Sequence, residues 1–149
     1  MPRHIYKETS TFHFHNANPK GKNASDCVYR AISVALNQTY EQTVREMCEC
    51  CLKIGYSPNE TKTIKKYLES KGWVAFKEPR DPNNKKISLK RFLVHLKPND
   101  VVIALVGSHH CTLVKEQKVW DTWDCTEKLV HSYWKRSIDW TTDEYKEAK

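Results

Sequence analysis

Apolar residues recur at helical spacing through most of the first hundred positions of the chain. The clearest stripe has the i, i+3, i+4, i+7, i+8 spacing of a helix buried on one side: Val28, Ala31, Ile32, Ala35 and Leu36. It predicts a helix that begins at Cys27, after the good N-cap residues Ser25 and Asp26, and ends near Asn37. Cys27 then lies in the first turn, where unpaired backbone N–H groups and the helix dipole favour a thiolate.

Three further helices are predicted from capping patterns and inward-facing apolar residues. The second opens at the capping-box pattern of residues 39–42 and ends at Gly55. The third opens at residues 57–60, with a proline at the first helical position, and ends at Gly72. The fourth begins after Ser88. The first two thirds of the chain therefore form a mainly helical part.

After residues 98–100 the pattern changes from helical to extended. Residues 101–106 form a continuous apolar run, which is typical of a central strand. Two strands are predicted on either side of 115–118 and another at 132–135, and a short strand at 73–76 precedes them. Helices followed by strands indicate an α+β fold.

The length of 149 residues favours one domain over 1–149 with a core of its own. Residues 1–17 are predicted to be an irregular or strand-like N-terminal segment, and the polar residues 141–149 to be a frayed tail. No apolar run reaches the length of a membrane span, and the N-terminus lacks the apolar stretch of a signal peptide. We therefore expect a cytoplasmic protein that does not contact a membrane.

The charge and the cysteine content of the chain limit the classes of function that the sequence allows. The 25 Lys and Arg residues exceed the 18 Asp and Glu residues, giving +7, so weak nonspecific attraction to nucleic acid or another acidic partner is expected. The six cysteines do not suggest a disulfide framework in a chain without a signal peptide. Cys48, Cys50 and Cys51 lack the paired spacing of a zinc site. We expect Cys48 and Cys51 to face the core, Cys50 to be exposed, and no metal or cofactor to be required.

The candidate chemistry combines Cys27 with a predicted hairpin far downstream. If Val114 pairs with Val119, side chains two residues apart share a face, and Asp121 becomes the diagonal neighbour of His110. A cysteine at a helix start with a strand histidine and a strand carboxylate is a common way to build a cysteine nucleophile.

The same register also places His109 opposite Asp124 on the other face of the hairpin. Alternation alone does not choose between this pair and the first. Trp123 falls on the face of His110 and is expected to shield the histidine–carboxylate hydrogen bond from water.

The chain resembles the papain-like cysteine peptidases in the order of these residues. The similarity lies in residues 18–21, in Asp26-Cys27-Val28-Tyr29-Arg30-Ala31, in His110, and in Asp121-Thr122-Trp123-Asp124, and it is greatest to small uncharacterised phage and bacterial members. The resemblance implies a central helix carrying the nucleophile, packed on a C-terminal antiparallel sheet. It also implies Cys27 as nucleophile, His110 as base and Asp121 as its orienting partner.

The glutamine that such enzymes use to bind the oxyanion has no counterpart here. Asn23 is the first substitute and Asn18 the second, with the Cys27 backbone N–H as the other donor. The resemblance implies a thiol peptidase or isopeptidase that forms a thioester acyl-enzyme from a peptide or protein substrate. Such an enzyme would be phage-encoded or bacterial and intracellular.

Three alternatives remain open. An acyltransferase of the transglutaminase type would use the same triad. A basic nucleic-acid-binding module would have no catalysis. A metal protein using His109, His110, Cys111 and Cys125 is the weakest alternative, because adjacent residues on a strand point to opposite faces.

Overall fold

The structure is a computed structural model that describes residues 8–137. Within that range the helices are α1 (Cys27–Ala35), α2 (Tyr40–Ile54), α3 (Thr61–Ser70) and α4 (Leu89–Leu93). The strands are β1 (Phe12–Phe14), β2 (Val74–Lys77), β3 (Asp100–Val106), β4 (His110–Lys115), β5 (Lys118–Asp121) and β6 (Val130–Ser137). They form one sheet in the order β1-β5-β4-β3-β6-β2. The predicted α+β class is confirmed.

The sheet differs from the predicted C-terminal antiparallel sheet in two ways. It includes β1 and β2, which come from the N-terminal and middle parts of the chain, and β1 pairs with β5 in parallel. The N-terminal segment predicted as irregular or strand-like thus contains a strand, because Phe12 is buried and its neighbours bond to β5. The predicted frayed tail at 141–149 lies outside the described residues. None of the helices between residues 8 and 137 has the length and apolar content that a bilayer crossing needs.

Capping side chains set the starts of α2 and α4 as predicted. Asp26 precedes α1 but does not cap it, because its carboxylate accepts from the Arg30 side chain and from other side chains instead. The Thr39 side chain accepts the Gln42 N–H, and α2 ends at Gly55, whose φ of +81° suits glycine. The Ser88 side chain caps α4. The third helix begins later than predicted, because residues 57–60 close a turn in which the Glu60 N–H bonds to the Ser57 carbonyl.

The buried face of α2 is rotated from the predicted one. Thr43 and Met47 are buried, and Cys50 lies on the same side with its Sγ 3.9 Å from the Thr63 carbonyl oxygen. Cys48 is exposed, so the expectation that Cys48 faces the core and Cys50 faces solvent is wrong. The reason is that α3 packs on the Met47 side of α2.

The sheet separates two apolar cores. Alternate residues of β3 point to opposite faces: Ile103 joins the core under α1, α2 and α3, and Val102 joins the core under α4. Helix α1 packs directly on β4. This packing brings the start of α1 to the start of β4.

The β4–β5 hairpin has the predicted register. Val114 pairs with Val119, and a two-residue turn at Glu116 and Gln117 joins the strands. Both turn residues have positive φ, at +55° and +57°, as in the turns that match the twist of a hairpin. The register places the end of β5 beside the start of β4.

Candidate active site

Cys27 is the first residue of α1 and its side chain is half-buried. Its backbone N–H belongs to the first turn, where no intrahelical acceptor exists. Burial opposes ionisation of the thiol, but hydrogen bonds from the His110 side chain and the Cys111 backbone, with the charges of His110 and Arg30, outweigh it. Together they lower the pKa of Cys27 from its ordinary value of 9.0. The thiol is therefore biased toward the nucleophilic thiolate.

His110 begins β4 and lies between the thiol and a carboxylate. Its Nε2 is 2.7 Å from Oδ2 of Asp121, and the ring also shares a hydrogen bond with the Cys27 thiol. Burial favours the neutral ring, but hydrogen bonds with Asp121, Cys125 and Cys27 raise the pKa of His110 to about 11. The arrangement supports an imidazolium beside a thiolate.

Asp121 ends β5 and is almost fully buried, with 2% of its surface exposed. Its Oδ2 accepts hydrogen bonds from His110 and from the Thr112 hydroxyl at 2.7 Å, and its Oδ1 accepts from Nη1 of Arg30 at 2.9 Å. The Thr122 N–H also donates to Oδ1. Burial raises the pKa of this carboxyl, but the His110 hydrogen bond and charge and the Thr112 and Thr122 bonds leave it lowered.

The alternative histidine pair is not formed. His109 lies in the turn between β3 and β4 with a φ of +60°. Asp124 accepts hydrogen bonds from the Thr126 N–H and hydroxyl instead. The structure therefore brings together His110 and Asp121, the pair that the sequence resemblance favoured and that strand alternation left open.

Trp123 contacts His110, with ring centroids 4.7 Å apart and planes tilted by 47°. Its side chain remains 39% exposed, so it covers the outer side of the imidazole and is not a core residue. Its role in shielding the His110–Asp121 hydrogen bond stays a prediction.

The two asparagines predicted for the oxyanion hole lie in different surroundings. Asn18 donates its side-chain N–H to Oδ2 of Asp26 at 2.9 Å, so its amide is held by that carboxylate. Asn23 is exposed, and among residues 8–137 its side chain has no hydrogen-bond partner. The Cys27 N–H remains the best-placed donor, and Asn23 stays a prediction.

Asp26 and Arg30 belong to the site, although the sequence analysis gave neither a role there. Nε of Arg30 donates to Oδ1 of Asp26 at 2.8 Å, and the Tyr40 hydroxyl donates to Oδ2 at 2.9 Å. The spacing of the two residues, i and i+4 on one helix, was a signal for this pair. Thr112 was also missed, although it stands opposite Asp121 in the predicted register.

A second thiol lies on the far side of the His110–Asp121 pair. Cys125 is fully buried, and its Sγ is 3.7 Å from Oδ2 of Asp121. Donor atoms of His110, Asp121 and Cys125 all lie within 4.8 Å of one another, which is close enough to ligate a metal. The guanidinium of Arg30 on the same carboxylate opposes a divalent cation there.

The four-ligand set of His109, His110, Cys111 and Cys125 is not assembled. His109 is in a turn, and Cys111 packs into the α1 side of the sheet, whereas Cys125 packs into the α4 side. Along β4, the adjacent residues His110 and Cys111 point to opposite faces of the sheet, as expected from strand alternation.

An open cleft of about 680 Å³ adjoins the site. Its wall includes Val28, which follows Cys27, and Cys111, which also lines the small cavity beside the Cys27 thiol. Ile64 and Leu105 add apolar surface, and Glu60 stands on the exposed rim. Clefts of this size accommodate several groups of a ligand.

The chain matches no protein-family model, no curated protein and no solved structure. The chemistry of these residues therefore carries the functional argument.

Proposed function

We propose that this protein is a cysteine hydrolase that cleaves a peptide or isopeptide bond. One observation carries the proposal: the thiol of Cys27 at a helix start shares a hydrogen bond with His110, and His110 lies 2.7 Å from the buried carboxylate of Asp121. A nucleophile, a base and an orienting group in this order are the parts that covalent acyl transfer requires.

The reaction follows from these positions. The Cys27 thiolate attacks the carbonyl carbon and forms a C–S bond, while the Cys27 N–H donates to the developing oxyanion. His110 gives its proton to the leaving amine as the C–N bond breaks. Water, deprotonated by the now neutral His110, then attacks the thioester carbon. The C–S bond breaks, the acid is released, and the Cys27 thiolate is restored beside a protonated His110.

The surroundings support a peptide as substrate. The cleft of about 680 Å³ includes Val28, the residue after Cys27, and Cys111, which also lines the small cavity at Cys27, so residues of an extended chain could lie there near the thiol. The Asp121 network is closed to solvent, which strengthens its hydrogen bond to His110.

Alkylation of the folded protein by iodoacetamide at pH 7, followed by peptide mass spectrometry, tests the proposal without a known substrate. We expect Cys27 to react first among the six cysteines, with the exposed Cys48 as the internal reference for an ordinary thiol. Faster labelling of Cys48 than of Cys27 would contradict the assignment of the nucleophile. An activity screen with peptide thioesters, with and without added amine, then separates hydrolysis from acyl transfer.

A further inference from the structure

Arg30 lies one helical turn after Cys27 and connects two buried carboxylates. Its side chain is 10% exposed. Nε donates to Oδ1 of Asp26 at 2.8 Å, and Nη1 donates to Oδ1 of Asp121 at 2.9 Å. Nη1 also reaches the Thr122 hydroxyl at 3.3 Å. One guanidinium therefore joins the helix that carries the thiol to the strand that carries the carboxylate.

The two carboxylate oxygens of Asp121 accept hydrogen bonds from different groups. Oδ1 receives Arg30 and the Thr122 N–H, and Oδ2 receives Thr112 and His110. Donors on both oxygens fix the rotation of the carboxylate about its side-chain bond. The planar fork of arginine is suited to this task because its donors are held at fixed angles. Removing Arg30 leaves Oδ1 with a single short-range backbone donor.

Arg30 is itself held from its other side. Asp26 is 4% exposed and accepts hydrogen bonds from Asn18, Tyr40 and Arg30. These donors come from the N-terminal segment, the start of α2 and α1. The guanidinium is therefore also held by contacts outside the β4–β5 hairpin. It can fix the position of Asp121 relative to α1.

Charges alternate along this chain of contacts, from Asp26 through Arg30, Asp121 and His110 to Cys27. The titratable groups around the thiol come from the N-terminal segment, α1, β4 and β5: His15, Arg30, His110, Cys111 and Asp121. Burial raises the pKa of Cys111 and lowers that of His15, so both are neutral near pH 7. Arg30 and His110 are then the cations near Cys27 among the described residues.

We propose that Arg30 is a positioning residue of the active site, which orients Asp121, and through it His110, while its charge stabilises the Cys27 thiolate. The proposal rests on the proposed role of Cys27 as nucleophile. It assigns Arg30 an effect on thiol ionisation that a purely structural salt bridge would not have.

The pH profile of Cys27 alkylation tests this role. In Arg30→Gln we expect the midpoint of the profile to rise toward that of an ordinary thiol, because the variant removes a cation that favours the thiolate and one of the donors that hold Asp121. Arg30→Lys keeps a charge but not the two-sided fork, so its midpoint should shift less than that of Arg30→Gln. Arg45→Gln is the matched control: Arg45 also pairs with a carboxylate four residues earlier on its helix, but both side chains are 73% exposed.

A second comparison covers the case in which Arg30→Gln does not fold, since that variant leaves Asp26 buried without its cation and Asp121 with His110 as its remaining partner cation. Asp26→Asn and the double variant Asp26→Asn/Arg30→Gln both lack the Asp26 carboxylate, so neither variant leaves it buried without a partner. Of these two variants, the double variant should have the higher midpoint of Cys27 alkylation. If the folded variants had equal midpoints and the unsubstituted protein a low one, the proposed role of Arg30 would be wrong. The assignment of Cys27 as the nucleophile would still stand. An ordinary midpoint near 9 in the unsubstituted protein would instead overturn the proposed function.

Discussion

Cys27 and Cys125 approach the same histidine from different regions of the molecule. Cys27 stands at the start of α1, half-buried, and Cys125 lies in the loop after β5 with no exposed surface. Each shares a hydrogen bond with His110. The pKa of Cys27 is lowered, whereas that of Cys125 is raised, chiefly by burial and then by the nearby Asp121 charge despite its contact with His110.

The difference shows that a histidine contact alone does not activate a thiol. Cys27 has two cations, Arg30 and His110, and a backbone N–H beside it, and these outweigh its partial burial. Cys125 is fully desolvated and donates toward the Asp121 carboxylate, which disfavours a second negative charge. Cys125 thus serves as a neutral hydrogen-bond donor and a core side chain.

Replacing each of these two cysteines in turn by alanine should give the largest difference in alkylation between them. Cys27→Ala should abolish fast alkylation and any hydrolysis, yet change the free energy of unfolding by only about 1 kcal/mol or less, because alanine is favourable in a helix and the site is not fully buried. Cys125→Ala should retain fast alkylation of Cys27. Alkylation kinetics and urea denaturation measure the two effects. If Cys125→Ala lost fast labelling and Cys27→Ala did not, Cys125 and not Cys27 would be the reactive thiol.

Removal of the shared histidine should produce the next largest effect. His110→Ala leaves the burial of Cys27 in place without its main compensating partner, so alkylation at pH 7 should fall about 10- to 100-fold, as for a pKa higher by one to two units. His109→Ala is the matched control and should keep the rate of the unsubstituted protein. A larger loss in His109→Ala would select the His109–Asp124 pair.

The pH dependence should separate the two thiols in the unsubstituted protein. Cys27 should become reactive as pH rises through its lowered pKa and stay paired with a charged His110 until pH approaches about 11, where His110 loses its proton. Cys125 should begin to react only above pH 9, where its raised pKa lies. Site-resolved alkylation from pH 4 to pH 10 measures both; coincident profiles would remove the distinction between the thiols.

Changes at Asp121 should have graded effects. Asp121→Ala removes the acceptor that holds His110 Nε2 and should reduce Cys27 labelling more than Asp121→Asn, which can still accept a hydrogen bond. The matched control is Asp124→Ala, since Asp124 contacts Thr126 and not a histidine. Labelling rates at pH 7 order the three variants, and an inactivating Asp124→Ala with a silent Asp121→Ala would refute the triad.

Trp123 should show the smallest effect. Trp123→Ala uncovers one side of His110 but removes no hydrogen bond, so the rate of Cys27 alkylation should fall only a few-fold. Trp123→Phe keeps an aromatic cover and should be closer to the unsubstituted protein. Loss as large as that in His110→Ala would give Trp123 a direct role in holding the ring.

The sequence was informative where contacts are local or follow a strict period. The helix start at Cys27, the caps at Thr39 and Ser88, and the Val114–Val119 register all depend on neighbours within a few residues, and the structure has each of them. The choice of His110 over His109 depends on which face of the hairpin meets α1. Tertiary packing determines that face, and the alternation of side chains along a strand carries no information about it.

The missed features depend on contacts between distant segments. Asn18 is the second oxyanion-hole candidate, and the path of the N-terminal segment turns its amide to Asp26, a contact that the sequence does not predict. The link between Arg30 and Asp121 joins residues 91 positions apart, so only its i, i+4 contact with Asp26 was visible in the sequence. Strand β1 was uncertain because three residues carry too little pattern to predict pairing with β5.

The short strand β1 also has a consequence for the edge of the sheet. It covers the free edge of β5: the Val119 N–H bonds to the Thr11 carbonyl, and the His15 N–H bonds to the Asp121 carbonyl. An uncovered strand edge is a template on which another chain can add, whereas a three-residue edge strand offers little length for such addition. Truncation before Asn16 would thus expose β5, the strand that ends in Asp121, as an aggregation-prone edge.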